Sequence, residues 1–284
     1  MSEPVSVIVS VYNNSEVLQR TLWGLAEQRF TDFRLILADD GSNQAEIDQI
    51  QSYVTELGLS ATHIWHEDRG FRKSAILNQA IAIAQSERLI FIDADIIPRN
   101  DFVANHYRLL RPGYFIAGGS HLNLPLAIQS DISRAHIQSG QLFTLDYLQH
   151  HDIDKCKFRL RLEKRGIKAR AFDTLFPRSN AFIGCNASCW RKDALEINGF
   201  DERWGYGGMD IEFGMRMTNL GIKSRRHSFS LVALHQDHKR PYRDLNQIKR
   251  NKEALKQLEK SNITKIQSGI NGYIRDKIKT LYST

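Results

Sequence analysis

Short β-prone runs, each closed by a carboxylate, an amide or a charged loop, alternate with stretches of helical period over the first hundred positions. Val5–Val11 stops at Tyr12-Asn13-Asn14, and Phe33–Ala38 stops at Asp39-Asp40-Gly41-Ser42. Ala61–Trp65 stops at the charged loop Glu67–Lys73, and Leu89–Ile92 at Asp93-Ala94-Asp95. Between them Leu18, Leu22 and Leu25 share one helical face behind Ser15, the expected N-cap. A second helix follows Gly41-Ser42 to about Leu57, and a third turns Ile76, Ala80, Ile83 and Ala84 inward. Apolar runs of this kind are strands buried on both faces. Strands alternating with helices predict an α/β fold with a mostly parallel central sheet flanked by helices.

Beyond Asp95 the pattern changes. Pro98 and Asn100 are expected to start a short helix, and Tyr114–Ser120 to form a strand. Positions 121–180 read as a helical insert, with a helix over Ile128–Leu148. A basic helix is expected over Lys155–Arg170, carrying Phe158, Leu160, Leu162 and Ile167. Phe182–Ser188 should lead into a helix over Trp190–Ile197, and Ile222–Leu234 into one strand or two. Asp244–Leu258 is helical, with Leu245, Ile248, Leu255 and Leu258 on one side, and Asn262–Tyr273 is amphipathic.

Charge separates these regions. The net charge is +7 over 284 residues. Positions 223–284 hold 15 Lys/Arg against 5 Asp/Glu, and positions 155–178 hold 9 against 2, so the remaining body is acidic. Basic segments on an acidic body suit an anionic partner, such as a membrane surface or an acidic acceptor. Nucleic acid is not expected, because no binding motif is present and the basic stretches lack interleaved aromatics. No apolar run approaches the roughly 20 residues that span a bilayer. The start Met1-Ser2-Glu3-Pro4 has no basic n-region, so no signal peptide is expected. Three cysteines, Cys156, Cys185 and Cys189, fit free thiols in a reducing cytoplasm and complete no zinc pattern.

The candidate chemistry lies at strand ends and in one glycine-rich loop. Asp93 and Asp95 form an acid-x-acid pair at the mouth of the sheet, where open α/β folds bind ligands and a hard cation finds oxygen donors. Trp204-Gly205-Tyr206-Gly207-Gly208 can pass close to a ligand without side-chain clash. Asp210 and Glu212 follow at a helix start, where the dipole favours carboxylates. His235 and His238 stand after the last core strand. A histidine beside oxygen ligands tilts the ion toward Mn²⁺ over Mg²⁺.

The first half resembles a Rossmann-like nucleotide binder without GxGxxG. The order of Val5–Asn14, Asp39-Asp40-Gly41-Ser42, Gly70-Phe71-Arg72-Lys73 with Asn78, and Asp93-Ala94-Asp95 is similar to the nucleotide-sugar half of family 2 glycosyltransferases of GT-A fold. Trp204–Gly208 resembles the Trp-Gly-x-Gly-Gly-Glu-Asp segment of β-1,4-galactosyltransferases, polypeptide N-acetylgalactosaminyltransferases and chondroitin-type polymerases. It departs at Met209, where those families usually have Glu. The resemblance implies a single GT-A domain over 1–284: a nucleotide-sugar half at 1–98, an acceptor half at 99–240 and a basic helical tail at 241–284.

The resemblance also implies roles. Val11, Tyr12 and Asn13 approach the uridine. Asp39 and Asp40 bind uracil or ribose, Asp39 being the better placed. Arg72 and Lys73 reach the base or diphosphate, and Asn78 contacts the donor. Asp93, with Ala94, meets the ribose or the ion, and Asp95 ligates Mn²⁺ or Mg²⁺. His235, or else His238, completes the metal site. Trp204, Tyr206, Gly207, Gly208 and Glu212 shape the sugar pocket, and Asp210 is the catalytic base. Lys239, Arg240 and Arg243 are expected to close over the diphosphate. The implied reaction is inverting transfer of a hexose or N-acetylhexosamine from a UDP-sugar to a saccharide or glycolipid hydroxyl, in surface polysaccharide, lipopolysaccharide or glycolipid assembly. The expected location is cytoplasmic, with peripheral contact on the inner face of the membrane through the basic regions. A nucleotidyltransferase acting on a sugar phosphate and a non-catalytic sugar-nucleotide-binding protein are the alternatives. The first should carry a glycine-rich basic loop after strand one, where this chain has Tyr12-Asn13-Asn14-Ser15.

Overall fold

A computed structural model of the chain describes residues 5–118, 122–153, 156–177, 181–238, 244–273 and 278–284. In chain order the elements are β1 (Val5–Val11), α1 (Ser15–Ala26), β2 (Phe33–Asp39), α2 (Gln44–Leu57), β3 (Ala61–Trp65), α3 (Lys73–Ile83), β4 (Arg88–Asp93) and β5 (Ile96–Pro98). Next come α4 (Phe102–Leu109), β6 (Tyr114–Ala117), β7 (Leu122–Leu124), α5 (Leu126–Gln129), α6 (Arg134–Gln138), α7 (Leu145–His150), α8 (Cys156–Glu163) and α9 (Gly166–Leu175). The chain closes with β8 (Asn186–Trp190), α10 (Arg191–Glu196), α11 (Met209–Asn219), β9 (Lys223–Arg226), β10 (Ala233–Gln236), α12 (Leu245–Glu259) and β11 (Thr280–Ser283).

Eight strands form one sheet in the order β11-β3-β2-β1-β4-β8-β6-β9, and β5-β10-β7 form a second. The four early strands are parallel, as their apolar runs predicted. Alternation along β1 feeds both faces. Val5, Val7, Val9 and Val11 pack with Leu18, Leu22 and Leu25 of α1, while Ile8 packs with Ile76, Ala80 and Ile81 of α3. Burying such side chains contributes about 1.5–3 kcal/mol each. The inward face of α3 is therefore Ile76, Ala80, Ile81 and Ala84, with Ile83 only partly covered.

Elsewhere the structure corrects the sequence reading. Ile96–Pro98 is a strand paired with β10, and the helix begins only at Phe102. Asn186–Trp190 is a strand inserted antiparallel between β4 and β6. Its apolar signal is weak because Asn186 and Ser188 sit fully buried, both bonded to the ring of His106. Burial pushes the His106 imidazole down to about 3, so this buried ring is neutral. The single helix expected over Ile128–Leu148 is broken into short turns that wrap the second sheet. The basic helix is two: Arg165 is extended and Gly166 has φ 55°, which separates α8 from α9. Ser15 opens α1 but does not cap it; Asn14 is the left-handed N-cap residue, and the Ser15 N–H donates to Glu46. The chain end adds strand β11 to the edge of β3. Among the described residues no helix is long and apolar enough to cross a membrane.

Candidate functional site

Three turns meet at the C-terminal ends of β1, β2 and β3. Register places Val11, Asp39 and Trp65 in one row. The Asn13 N–H donates to Ser42 Oγ at 2.7 Å, and Asn13 Oδ1 accepts from the Asn43 N–H at 3.1 Å. Asn13 and Asn14 hold positive φ, a conformation asparagine tolerates better than most residues. Gly41 is required by its φ of 103° and by Asp68, whose backbone a Cβ would meet at 2.6 Å. The Tyr12 hydroxyl donates to Asp68 at 3.0 Å and leaves its ring 40% exposed at this edge.

The two carboxylates after β2 differ from expectation. Asp39 is fully buried and consumed: Oδ1 accepts from the Gly41 and Ser42 N–H groups, and Oδ2 meets His63 at 2.9 Å. It builds the turn and presents no face for a ligand. Asp40, 5% exposed, lies nearer the surface, with His66 at 2.7 Å and the Arg72 N–H at 2.9 Å. Burial pushes its carboxyl up, and the His66 hydrogen bond opposes that. His63, His66 and Asp68 were missed: His66 and Asp68 carried the signal of a place just after a strand end, and His63, in the middle of β3, carried none.

Asn78 also has another task. It is fully buried, donates to Phe200 O at 2.8 Å and to Glu202 at 2.9 Å, and accepts from the Phe200 N–H at 2.8 Å. These bonds tie α3 to the loop before the glycine segment. Asn78→Ala should cost about 2–3 kcal/mol by stranding buried backbone groups, read as a shift in the urea midpoint with an unchanged slope.

At the end of β4 the chain passes from one sheet to the other. Asp93 Oδ1 accepts from Ser10 Oγ at 2.7 Å and from Lys73 Nζ at 2.6 Å. Ser10 is directly across from Asp93 in the register. Burial alone would lower the Lys73 pKa, but the Asp93 charge outweighs it and raises the ammonium above its usual value. Ala94 is held through its backbone, donating to Ser10 O and accepting from Thr21 Oγ1. Arg72 is anchored through its backbone: its N–H donates to Asp40 and its carbonyl accepts from the Ala75 and Ile76 N–H groups.

Strand β10 brings the histidines to Asp95. His238 Nε2 lies 2.7 Å and His235 Nε2 3.3 Å from Asp95 Oδ2. One ligand atom from each of Asp95, His235 and His238 falls within 4.8 Å of the others. Asp95 Oδ1 is buried with no hydrogen-bond partner among the described residues. Burial pushes Asp95 up, but the two histidine hydrogen bonds prevail and hold it well below the usual carboxylate range. One carboxylate and two imidazoles with an unspent oxygen fit a divalent first-row ion such as Mn²⁺ better than the all-oxygen preference of Mg²⁺. His235 lies within β10 rather than after it, and both histidines reach Asp95.

Asp210 begins α11. Its Oδ2 accepts from the Gly184 N–H at 3.1 Å and its Oδ1 from the Ile211 N–H at 2.9 Å. Burial raises its pKa; the Gly184 N–H and Lys73 pull it down, and Asp93 pushes it further up. Asp93, Lys73 and Asp210 thus share one electrostatic neighbourhood. Cys185 borders it, and burial with Asp93 and Asp95 holds its thiol protonated.

The glycine loop owes its shape to a helix as well as to any ligand. Gly207 and Gly208 both have φ 94°, and a Cβ on them would come within 3.2 Å of Ile248 and Leu255 of α12. Asn251 donates to the carbonyls of Tyr206 and Gly207. Trp204 packs on the core beside Gly208, and Tyr206 stands edge-on to Phe71 at 5.6 Å. Met209, in place of the expected Glu, is buried with its sulfur 3.7 Å from Ser74 Oγ. Glu212 does not face a pocket: it is 2% exposed and ion-paired with the fully buried Arg216, whose other nitrogens bond Ile197 O and Gly199 O. Lys239, Arg240 and Arg243 lie outside the described residues.

Positions 6–179 match the model for glycosyl transferase family 2, and 152–239 match one described as the N-terminal domain of galactosyltransferase. Validoxylamine A glucosyltransferase of Streptomyces hygroscopicus subsp. jinggangensis is 25% identical over 256 residues, covering 82% of this chain and 56% of that protein. Chondroitin synthase of Pasteurella multocida is 26% identical over 239 residues, covering 76% of this chain and 23% of that one. The chain thus spans about half or less of the length of these two relatives. Among solved structures, S. aureus TarS 1-349 in complex with UDP aligns with TM-score 0.57 at 14% identity, covering 95% of this chain and 68% of that one. The mannosyltransferase PcManGT from Pyrobaculum calidifontis, in complex with GDP-Man and Mn²⁺, aligns with TM-score 0.55 at 17% identity, covering 92% and 71%. The fold is GT-A.

Proposed function

The chain belongs to glycosyl transferase family 2, and from that premise we propose that it moves a hexose or N-acetylhexosamine from a UDP-sugar to an acceptor hydroxyl, with inversion. The observation that carries this reading is the gathering of Asp93–Lys73, Asp95 with two histidines, and Asp210 around one sheet end. We read residues 1–284 as one unit, with the nucleotide bound by the first hundred residues and the acceptor by the rest.

Asp40, set by His66, accepts from the nucleobase or ribose beside the exposed Tyr12 ring. The Lys73 ammonium, held by Asp93, places a fixed positive charge by the diphosphate. Asp95, His235 and His238 would hold Mn²⁺ or Mg²⁺, which supplies Lewis-acid stabilisation of the departing diphosphate. Asp210 takes the proton of the acceptor hydroxyl as its oxygen attacks the anomeric carbon from the face opposite the leaving group. Its raised pKa brings it nearer working pH, where a general base is most effective. Trp204 and Tyr206 border the sugar. The acceptor is a saccharide or glycolipid, and the basic regions favour one presented at an anionic membrane face.

The test is nucleotide release from a panel of UDP-, GDP- and dTDP-sugars, with Mn²⁺ and with EDTA. One UDP-hexose should be slowly hydrolysed in Mn²⁺ and spared in EDTA. Turnover of a GDP-sugar alone would reassign the base. No turnover or binding of any of them by the folded chain would defeat the reading.

A further inference from the structure

The insert carries an outward face that the transfer chemistry does not use. In α9, Ala169 and Asp173 point inward; Asp173 is buried and accepts from the Phe229 and Ser230 N–H groups. Helical geometry puts Ile167, Ala171 and Leu175, at i, i+4 and i+8, on the opposite side. Ile167 is 76% and Leu175 70% exposed, and Ala171 is exposed as well. Lys168 and Arg170 flank this stripe, one on each side, and both are exposed. Phe176 follows at 57% exposure, and Leu160 of α8 adds another exposed apolar side chain.

We propose that this face of α9 is a lipid-docking surface that seats the protein on an anionic bilayer, Ile167 and Leu175 entering the headgroup boundary while Lys168 and Arg170 meet lipid phosphates. An apolar stripe edged by cations on a surface helix is the pattern that lies in a membrane interface. Charge selects the occupant. Positions 156–175 hold seven Lys/Arg against two acids. Of those acids Asp173 is turned inward and Glu163 is paired with Arg159. A second copy of this chain would bring the same cations and be repelled, whereas an anionic leaflet supplies both apolar depth and spread negative charge. This refines the membrane contact proposed above and does not depend on the transfer chemistry.

The experiment is co-sedimentation of the full chain with vesicles of phosphatidylcholine alone or mixed with phosphatidylglycerol, alongside donor hydrolysis without vesicles. The wild-type chain should pellet with the mixed vesicles, less so as salt rises. Ile167→Asp with Leu175→Asp, and separately Lys168→Glu with Arg170→Glu, should each weaken partitioning by about tenfold or more. Both variants should keep wild-type donor hydrolysis. A wild-type chain that stays in the supernatant with mixed vesicles at low salt would overturn the proposal, as would variants that pellet like wild type. So would a wild-type oligomer on sizing chromatography that the apolar variant dissolves, because the face would then belong to a second copy. Loss of donor hydrolysis in the wild-type chain would instead strike the catalytic reading and leave this one standing.

Discussion

Asp210→Asn should lower kcat for transfer by about 10²–10⁴-fold, the usual contribution of a positioned general base, with little change in the donor KM. The amide keeps shape and volume but cannot take a proton. The Gly184 and Ile211 N–H groups meet different carboxylate oxygens, so the amide oxygen keeps one of these two hydrogen bonds and the other is lost. Stability should change little. Burial raises the Asp210 pKa in the folded chain, so its contribution is present below the ordinary carboxylate range and is lost as pH rises through the raised value. At neutral pH the ionised side chain is a net cost to folding. Removing that cost offsets the one lost hydrogen bond, so the variant should melt close to wild type while its turnover is strongly reduced. A melting point well below wild type would mean that the lost activity reports damage. In the wild-type enzyme kcat should fall on the acid side with an apparent pKa above the ordinary carboxylate range. A profile flat through that range would argue against Asp210 as base.

Asp95→Asn should lower activity by about 10²–10³-fold at a fixed Mn²⁺ concentration, the scale for loss of a group that stabilises developing charge. Asp95 offers the buried Oδ1 that the described residues leave without a partner, and both His235 and His238 converge on its other oxygen. Replacing either histidine by Ala should weaken ion binding without abolishing it, since the anionic carboxylate and one imidazole remain. Calorimetric titration of Mn²⁺ reads this directly: Asp95→Asn should show no saturable binding and each histidine variant a weaker curve. If Asp95→Asn binds Mn²⁺ as the wild type does, the ion lies elsewhere. By contrast Asp93, held by Ser10 and Lys73, should act through the ammonium, so Asp93→Asn should affect diphosphate binding more than ion affinity.

The parallel half was legible because it obeys one rule. Val5–Val11, Phe33–Asp39, Ala61–Trp65 and Arg88–Asp93 are apolar strands buried on both faces, each ending where its side chains turn polar. The second half breaks that rule in three ways. The core strand Asn186–Trp190 carries buried polar groups that distant partners, the His106 ring and the Leu231 carbonyl, make tolerable. The short strands β5, β7 and β10 offer too few residues for a period to show, and their pairing is set by contacts between distant segments. The C-terminal strand β11 pairs with β3 more than two hundred positions earlier, a partner no local pattern announces.

The same division runs through the site. Which residue types could carry the chemistry was set by the sequence: a carboxylate pair after β4, a carboxylate after a glycine loop, and two histidines near the last core strand. Those assignments rest on local chemistry, and local chemistry is written in the chain. Which of these groups is free to act was decided only by tertiary structure. Asp39 and Asp40 are neighbours in sequence, yet one is consumed by His63 and its own turn while the other lies nearer the surface. Asp210 and Glu212 are two apart, yet one meets backbone N–H groups near Lys73 and the other is sealed against Arg216. Burial and hydrogen-bond saturation depend on what packs from elsewhere in the chain, and a carboxylate sealed on every side by its donors, as Asp39 is, has no face left for a ligand.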